Sequence, residues 1–236
     1  RMKVNSLCAD GEFYDVDDTE QKSLPQKFHA LVRFAVLASE TDPFDPMEKA
    51  FKELGDRYLD HSARFADWTL AHEYSLSAEL LALSHVWQSS AKGEYVIATK
   101  GAPEAVADLC HFNPDQLQQM ECRIDSMAAD GLRVLAVAKA EFSSDAWPAS
   151  QHDFDFRFLG LIGLADPVRP EVPAAIEECA QAGVKVVMIT GDYPSTAAAI
   201  GRKIGLPTES EIMTGSEVER SREGDLRRRI ADTAIF

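Results

Sequence analysis

The sequence predicts an α/β protein in two parts, and three observations lead to this prediction. Some segments repeat apolar residues at helical spacing, whereas others are short and rich in β-branched and aromatic residues. After about Phe154 the pattern changes to continuous apolar runs separated by helices, which is typical of a parallel sheet. We therefore expect an α+β domain over residues 1–153, including its N-terminal connection, and a second domain over residues 154–236.

The first domain mixes helices with strands. Residues 1–25 show little periodicity and contain an acidic cluster, whereas apolar residues at i, i+3 and i+4 predict a helix over 28–36. Asp45 followed by Pro46 is a typical helix start, with the aspartate as the cap. Further helices are expected from Pro103 and Pro114, and strands over 69–74, 80–87, 95–99 and 132–142, with a hairpin turn at Lys92-Gly93.

The second domain has a different order of elements. Residues 158–165 and 184–189 are apolar runs without alternation, as in strands that are buried on both faces. Helices are expected over 170–182 and 194–204, which gives a β-α-β-α unit of a parallel sheet. Ligands of such sheets bind where the strands end.

Composition excludes several classes of protein. Hydrophobic residues make up 45% of the chain, enough for a core, but no apolar run approaches the ~18 residues of a membrane span. The net charge is −15, which argues against a general nucleic-acid or anionic-membrane surface. The four cysteines are scattered without a CxxC pair, as expected for free thiols in a reducing compartment.

The two ends of the chain suggest that it is part of something longer. The N-terminus begins with Arg1 and has no apolar segment of a signal peptide. The last residues, 233–236, resemble the start of a strand.

Two loops are candidate phosphate sites. Residues 100–104 (KGAPE) bring Lys100 and the small Gly101 to the start of a helix, where anions bind well; the alternative is a tight turn with a solvated lysine. Thr190, Gly191 and Asp192 follow a predicted strand, and a hydroxyl with backbone amides can hold a phosphoryl group. The alternative there is a turn in which the aspartate caps the next helix.

Two further positions also have structural alternatives, and at Glu48 the structural alternative is favoured unless other evidence selects the residue. Asp166 and Arg169 follow the first apolar run; the alternative is a proline-stiffened connection with a surface ion pair, but their position at the same sheet edge as residues 190–192 favours a site. Glu48 falls in the first turn of a predicted helix, where the helix dipole favours a carboxylate whatever its function.

Residues 15–19 (DVDDT) fit the DxDx[TV] pattern of haloacid-dehalogenase-type phosphatases. In that chemistry Asp15 would attack phosphorus and Asp17 would act as acid and base. The pattern requires a preceding buried strand, and only Phe13 and Tyr14 offer one. A solvated acidic loop is therefore favoured, and a stand-alone phosphatase is kept as the alternative function.

Six short segments together resemble the cytoplasmic part of the P-type cation-transporting ATPases, and their residues are most similar to those of the calcium-pump branch. The resemblance covers essentially the whole chain. Its segments are 1–4 (RMKV), 45–48 (DPME), 100–104 (KGAPE), 131–133 (GLR), 166–169 (DPVR) and 190–192 (TGD).

The resemblance implies an ATP-binding N domain, with a twisted antiparallel sheet flanked by helices, and an incomplete haloacid-dehalogenase-like P domain. Lys100 and Gly101 would line the nucleotide pocket, and Glu48 would face the adenine amino group. Leu76 stands where the family stacks an aromatic ring on adenine, and Leu81 at a second lysine position. Weak adenine affinity is expected, because a stacked aromatic adds about 0.5–1.5 kcal/mol. Tyr74 could stack instead if the register slips by two residues.

The remaining carried-over roles concern the phosphates. Arg133 would reach them across the domain cleft, and Asp166 and Arg169 would lie at the hinge edge of the pocket. Thr190, Gly191 and Asp192 would face the transferred phosphoryl group. Phosphoryl transfer is mostly positioning and charge stabilisation, which suits such a set.

Two family segments do not occur in the chain: DKTGT, with the phosphorylated aspartate, and GDGVND, which holds Mg²⁺. The chain alone is therefore expected to bind ATP without hydrolysing it, and to hold no complete metal site. The parent would be an integral membrane pump with transmembrane and actuator domains, using ATP and Mg²⁺, with this part in the cytoplasm. The transported cation is not specified, and a non-catalytic interaction domain is a third possibility.

Overall fold

The structure, a computed structural model, describes residues 2–16, 23–59, 68–88, 94–144, 147–207 and 211–236. The chain folds as two compact units. Unit 1 comprises Arg1–Ile124 and Val134–Ala165, and unit 2 comprises Asp125–Arg133 and Asp166–Phe236. The functional division between residues 153 and 154 stays a prediction.

A seven-stranded sheet forms the centre of unit 1. Its strands are β1 (Lys3–Ala9), β2 (Glu12–Asp15), β3 (Thr69–Tyr74), β4 (Ala82–Gln88), β5 (Tyr95–Gly101), β6 (Arg133–Phe142) and β7 (Arg157–Ala165). They lie in the order β2-β1-β7-β6-β5-β4-β3, and the strand pairs of known register are antiparallel. This confirms the expected mixed α/β fold with an antiparallel sheet flanked by helices.

Two helices, α1 (Gln26–Leu37) and α2 (Pro46–Tyr58), pack on this sheet. The apolar face of α1 buries Phe28 and Leu31 in the same core as Phe51 of α2. Helix α2 begins as predicted, because the Asp45 carboxylate accepts hydrogen bonds from the backbone N–H of Met47 at 2.7 Å and of Glu48 at 3.3 Å. Two more helices, α3 (Pro103–Leu109) and α4 (Pro114–Ala129), follow β5 in the chain.

The predicted strands of the first domain are confirmed with small changes of boundary. Gln88 lies opposite Tyr95, so β4 and β5 pair as the expected hairpin, although its turn at Lys92-Gly93 lies outside the described residues. The hairpin of β1 and β2 was not predicted. Neither strand alternates regularly between buried and exposed residues, so the sequence shows little periodicity there.

The interpretation of residues 158–165 as a parallel strand is wrong. Strand β7 runs antiparallel to β1, with Lys3 opposite Ala165. A Cβ atom on Gly160 would lie 2.2 Å from the Cys8 carbonyl oxygen, so only glycine permits this close pairing. A continuous apolar run indicates that both faces are covered, but it contains no information about strand direction.

Unit 2 contains helices and short strands: α5 (Val172–Gln181), α6 (Pro194–Ile204), β8 (Glu211–Ile212), α7 (Gly215–Arg220), α8 (Glu223–Asp232) and β9 (Thr233–Ile235). The two predicted helices are confirmed as α5 and α6. Strands β8 and β9 pair in parallel, and a small core gathers Ile204, Leu206 and Ile235.

Residues 184–189 do not form the predicted buried strand. Met188 makes one parallel bridge, to Ile235, and Ile189 is 82% exposed. Val186 and Met188 pack against the small core of unit 2, whereas Val184, Val187 and Ile189 are exposed, so only one face of the segment is covered. In the parts of the chain that the structure describes, no helix combines the length and the apolar character that a membrane crossing requires.

Candidate functional site

The predicted site residues Lys100 and Glu48 are brought together inside unit 1. The Lys100 Nζ donates to Glu48 Oε1 at 2.5 Å and to the Ser39 hydroxyl at 2.7 Å. Lys100 is 4% exposed and Glu48 is 9% exposed. The result is a buried ion pair with a hydroxyl as a third partner.

Three elements position this cluster. Strand β5 turns Lys100 to the face of the sheet that α1 and α2 cover, and Glu48 lies in the first turn of α2. Ser39 follows α1, and its hydroxyl donates to the Ala35 carbonyl at 2.8 Å. The second carboxylate oxygen of Glu48 accepts the backbone N–H of Glu40 at 3.3 Å. Both oxygens of the carboxylate therefore have donors.

Burial lowers the pKa of Lys100, and the hydrogen bond and charge of Glu48 oppose that shift. A buried ion pair costs desolvation that its attraction often fails to recover, so apolar replacements are frequently as stable. Perturbed ionisable groups of this kind are found preferentially at functional sites. The Lys100 ammonium also lies 5.5 Å from the centre of the Phe51 ring, whose quadrupole attracts the cation.

Gly101 has a structural role beside Lys100. The N–H of Ala102 donates to the Leu81 carbonyl at 2.8 Å. A Cβ atom on Gly101 would lie 2.3 Å from that same carbonyl oxygen. The glycine therefore allows the end of β5 to approach the start of β4, which fixes the position of the preceding lysine.

The region expected to contact adenine contains exposed leucines. Leu76 follows β3 and is 59% exposed, and Leu81 is exposed as well. Tyr74 cannot replace Leu76 by a register slip, because it pairs with Ser84, whereas Lys100 pairs with the neighbouring Leu83. Adjacent strand residues face opposite sides of a sheet.

Tyr74 is engaged elsewhere, which excludes the register slip on a second ground. Its hydroxyl donates to the Pro148 carbonyl at 2.7 Å, and its ring meets Phe154 edge-on at 5.6 Å.

The phosphate-loop candidates lie in unit 2. The Thr190 hydroxyl donates to Asp192 Oδ2 and accepts the Asp192 backbone N–H, both at 3.1 Å. Arg133 Nε lies 3.9 Å from Asp192 Oδ1, so two candidates from distant parts of the sequence are neighbours. The Thr190 N–H donates to the Phe236 carbonyl at 2.9 Å, which anchors the loop to the end of β9. Asp166 and Arg169 follow β7 and are exposed.

The phosphatase alternative does not fit the structure. Asp15 lies in β2, an edge strand of an antiparallel sheet, and is exposed. The phosphatase chemistry requires the nucleophile after a buried strand, and Asp17 lies outside the described residues.

Sequence reasoning missed Ser39 and Phe51 in the lysine cluster. The only available signal for Ser39 was a small polar residue directly after an apolar helix, and Phe51 looked like any other core residue.

The geometry defines a class of protein first: a helix-covered antiparallel α/β unit with a buried lysine–carboxylate pair, followed by a loop-and-helix unit with a Thr-Gly-Asp turn. The family described as P-type ATPase, cytoplasmic domain N, matches residues 3–171. The chain therefore belongs to the P-type ATPase family.

Individual relatives agree with this assignment. The chain is 33% identical to the sodium/potassium exporting P-type ATPase cta3 of Schizosaccharomyces pombe, over 64% of this chain and 16% of that protein. It is 30% identical to the calcium-transporting ATPase of Bacillus subtilis, over 72% of this chain and 20% of that protein. The calcium-transporting ATPase 1 of Bacillus cereus is 28% identical and matches 100% of this chain, which spans 28% of its length.

Proposed function

We propose that this chain binds ATP, with Lys100, Glu48, Gly101 and Leu76 of unit 1 as the adenine-proximal residues. The whole protein to which it belongs would couple ATP hydrolysis to cation transport across a membrane. In that protein the chain would work on the cytoplasmic side with transmembrane and actuator domains. Mg²⁺ would accompany ATP there, while this chain alone binds the nucleotide without turning it over.

The observation that carries the proposal is the buried pair of Lys100 and Glu48. A carboxylate can accept hydrogen bonds from the amino group of an adenine, and an ammonium can donate to ring nitrogens or phosphate oxygens. Such a pair is a costly way to stabilise a core, which favours a binding role.

In unit 2, Thr190, Gly191 and Asp192 are proposed to face the transferred phosphoryl group. The neighbouring Arg133 would supply positive charge to phosphate oxygens, as guanidinium groups commonly do. Asp166 and Arg169 are proposed as further nucleotide contacts.

An ATP titration of the purified chain by calorimetry tests the proposal, with Lys100→Met beside Lys49→Met as a matched control. Lys49 lies in α2 next to Glu48 but is exposed. We expect a Kd on the order of 0.1–1 mM, about −4 to −5.5 kcal/mol. Lys100→Met should weaken binding at least tenfold and Lys49→Met should leave it within twofold.

Circular dichroism of each variant separates loss of the fold from loss of the ligand. Absence of any heat or spectral shift at saturating ATP in the folded wild-type chain would contradict the proposal and favour a non-catalytic interaction domain. Release of phosphate from ATP by the chain alone would contradict the expected lack of turnover.

A further inference from the structure

Three potential metal ligands meet beside the lysine cluster, on the same covered face of the sheet. They come from different places: Glu40 from the segment after α1, Glu73 from β3 and His85 from β4. One carboxylate oxygen of each glutamate and one ring nitrogen of the histidine all lie within 4.8 Å of one another. Both glutamates are exposed, so an ion could reach them from solvent.

The histidine provides the second observation, because it is 2% exposed and its ring is held in one orientation. Its Nδ1 lies 3.1 Å from the Leu37 carbonyl oxygen, which also accepts the Trp87 indole N–H at 2.8 Å. A carbonyl oxygen can only accept, so Nδ1 must carry the proton. With the proton on Nδ1, Nε2 is the ring nitrogen left to bind an ion, and it has no hydrogen-bond partner among the described residues.

A histidine whose other nitrogen donates to a backbone carbonyl is the usual arrangement of a metal-bound imidazole. The carbonyl fixes the tautomer and the ring orientation before the ion arrives.

We propose that Glu40, Glu73 and His85 form a binding site for a divalent transition-metal ion, with Zn²⁺ as the representative ion. One nitrogen and two carboxylate oxygens suit such an ion, and water completes a four-coordinate shell. Ligand atoms around zinc are about 3.4 Å apart, given metal–ligand bonds of about 2.1 Å. The two exposed glutamates reach this geometry by changes of rotamer, while His85 stays in place.

The site touches the lysine cluster through the backbone. The N–H of Glu40 donates to the Glu48 carboxylate, so an ion that holds the Glu40 side chain also restrains a partner of the buried pair. The inference does not depend on ATP binding, because its ligands are distinct from the proposed nucleotide contacts.

The metal-free chain is titrated with Zn²⁺ by calorimetry, and with Co²⁺ by visible absorption as a report on coordination. The variants are Glu73→Gln, which is exposed and keeps its shape, and His85→Asn, whose amide retains the donor to Leu37 but lacks Nε2. Glu94→Gln is the matched control for loss of an exposed carboxylate. Cys122→Ser controls for binding by the exposed thiol.

We expect one equivalent of Zn²⁺ in the wild-type chain, and affinity at least tenfold lower in Glu73→Gln and in His85→Asn. The two controls should bind as the wild-type chain does. Absence of stoichiometric binding overturns the proposal, as does binding that survives Glu73→Gln or disappears in Cys122→Ser. Because Glu73 is exposed, the result stands even if His85→Asn proves unfolded.

Discussion

Two apolar runs of this chain look alike in sequence and differ in the folded protein. Residues 158–165 form most of β7, where Ile162 is fully buried between β1 and the helices. Residues 184–189 make a single bridge, and Ile189 is 82% exposed. The difference shows that an apolar run specifies the capacity to be covered, whereas neighbouring strands and helices decide whether it is covered.

The two segments differ in burial because they have different neighbours in the fold. Strand β7 has a neighbouring strand on each side, and its consecutive residues 160–164 are all buried, so both of its faces are covered. The segment at 184–189 exchanges hydrogen bonds with residues 234–236 on one side. Hydrophobic stabilisation depends on area removed from water, so the second run contributes less to stability than the first.

The largest expected effect separates the two runs directly. Ile162→Ala should lower the free energy of unfolding by about 2–5 kcal/mol, because it removes buried methylene groups and leaves a cavity. Ile189→Ala should change it by less than about 0.5 kcal/mol. Denaturant titrations followed by circular dichroism measure both. An equal cost for Ile189→Ala would show that residues 184–189 are covered in solution, as β7 is.

Removing the buried charge of Glu48 should also destabilise unit 1, and the size of this effect should depend on pH. Glu48→Gln should destabilise the chain by about 1.5–3 kcal/mol at pH 7, because the charged Lys100 loses its counter-charge. Burial already lowers the folded-state pKa of Lys100, and in the variant this pKa falls further. Above the folded-state pKa the unfolded chain binds more protons, so stability increases with pH until the unfolded-state pKa of about 10.4.

The deficit of Glu48→Gln relative to wild type should therefore shrink as the pH rises above 7. Free energies of unfolding at several pH values provide the measurement, and Glu94→Gln should show no such trend. A deficit that is constant or grows with pH would show that Lys100 is not the titrating group.

The smallest expected effect is on ATP affinity and concerns Leu76, an exposed side chain that is proposed to contact adenine. If Leu76 contacts adenine, Leu76→Phe should tighten ATP binding by about 0.5–1.5 kcal/mol, or roughly two- to tenfold, through ring stacking. Leu117→Phe, in the exposed face of α4, should leave the affinity unchanged. Equal ATP affinities of wild type and Leu76→Phe would show that Leu76, like Ile189, is an exposed apolar side chain without a role in this ligand site.

Local signals predicted much of the fold. The Asp45 cap, the periodicity of α1 and the β-rich runs of β3 to β5 act over a few residues, and the structure confirms them. The pairing of β7 with β1 was missed, because it joins residues about 160 positions apart and no local pattern records strand direction. The β1–β2 hairpin was missed because its strands have no regular alternation.

The candidate sites were predictable to different degrees. Lys100 and Glu48 were found separately, from short motifs, and only the fold shows that they form one buried pair. Their partner Ser39 carried only the weak signal of a small polar residue directly after an apolar helix. Glu40, Glu73 and His85 lie far apart in the sequence and match no motif, so the six histidines all looked ordinary before the sheet register aligned Glu73 with His85.

The amino-acid sequence was sufficient to identify the family, the helix starts, the acidic net charge and the residues capable of binding or catalysis. Those properties depend on residue type and short spacing, which a linear sequence records. The tertiary structure decided which apolar runs are covered, on which face Tyr74 and Lys100 lie, and which charged groups meet. These properties depend on contacts between distant segments, and the free energy of such contacts arises only when the chain has folded.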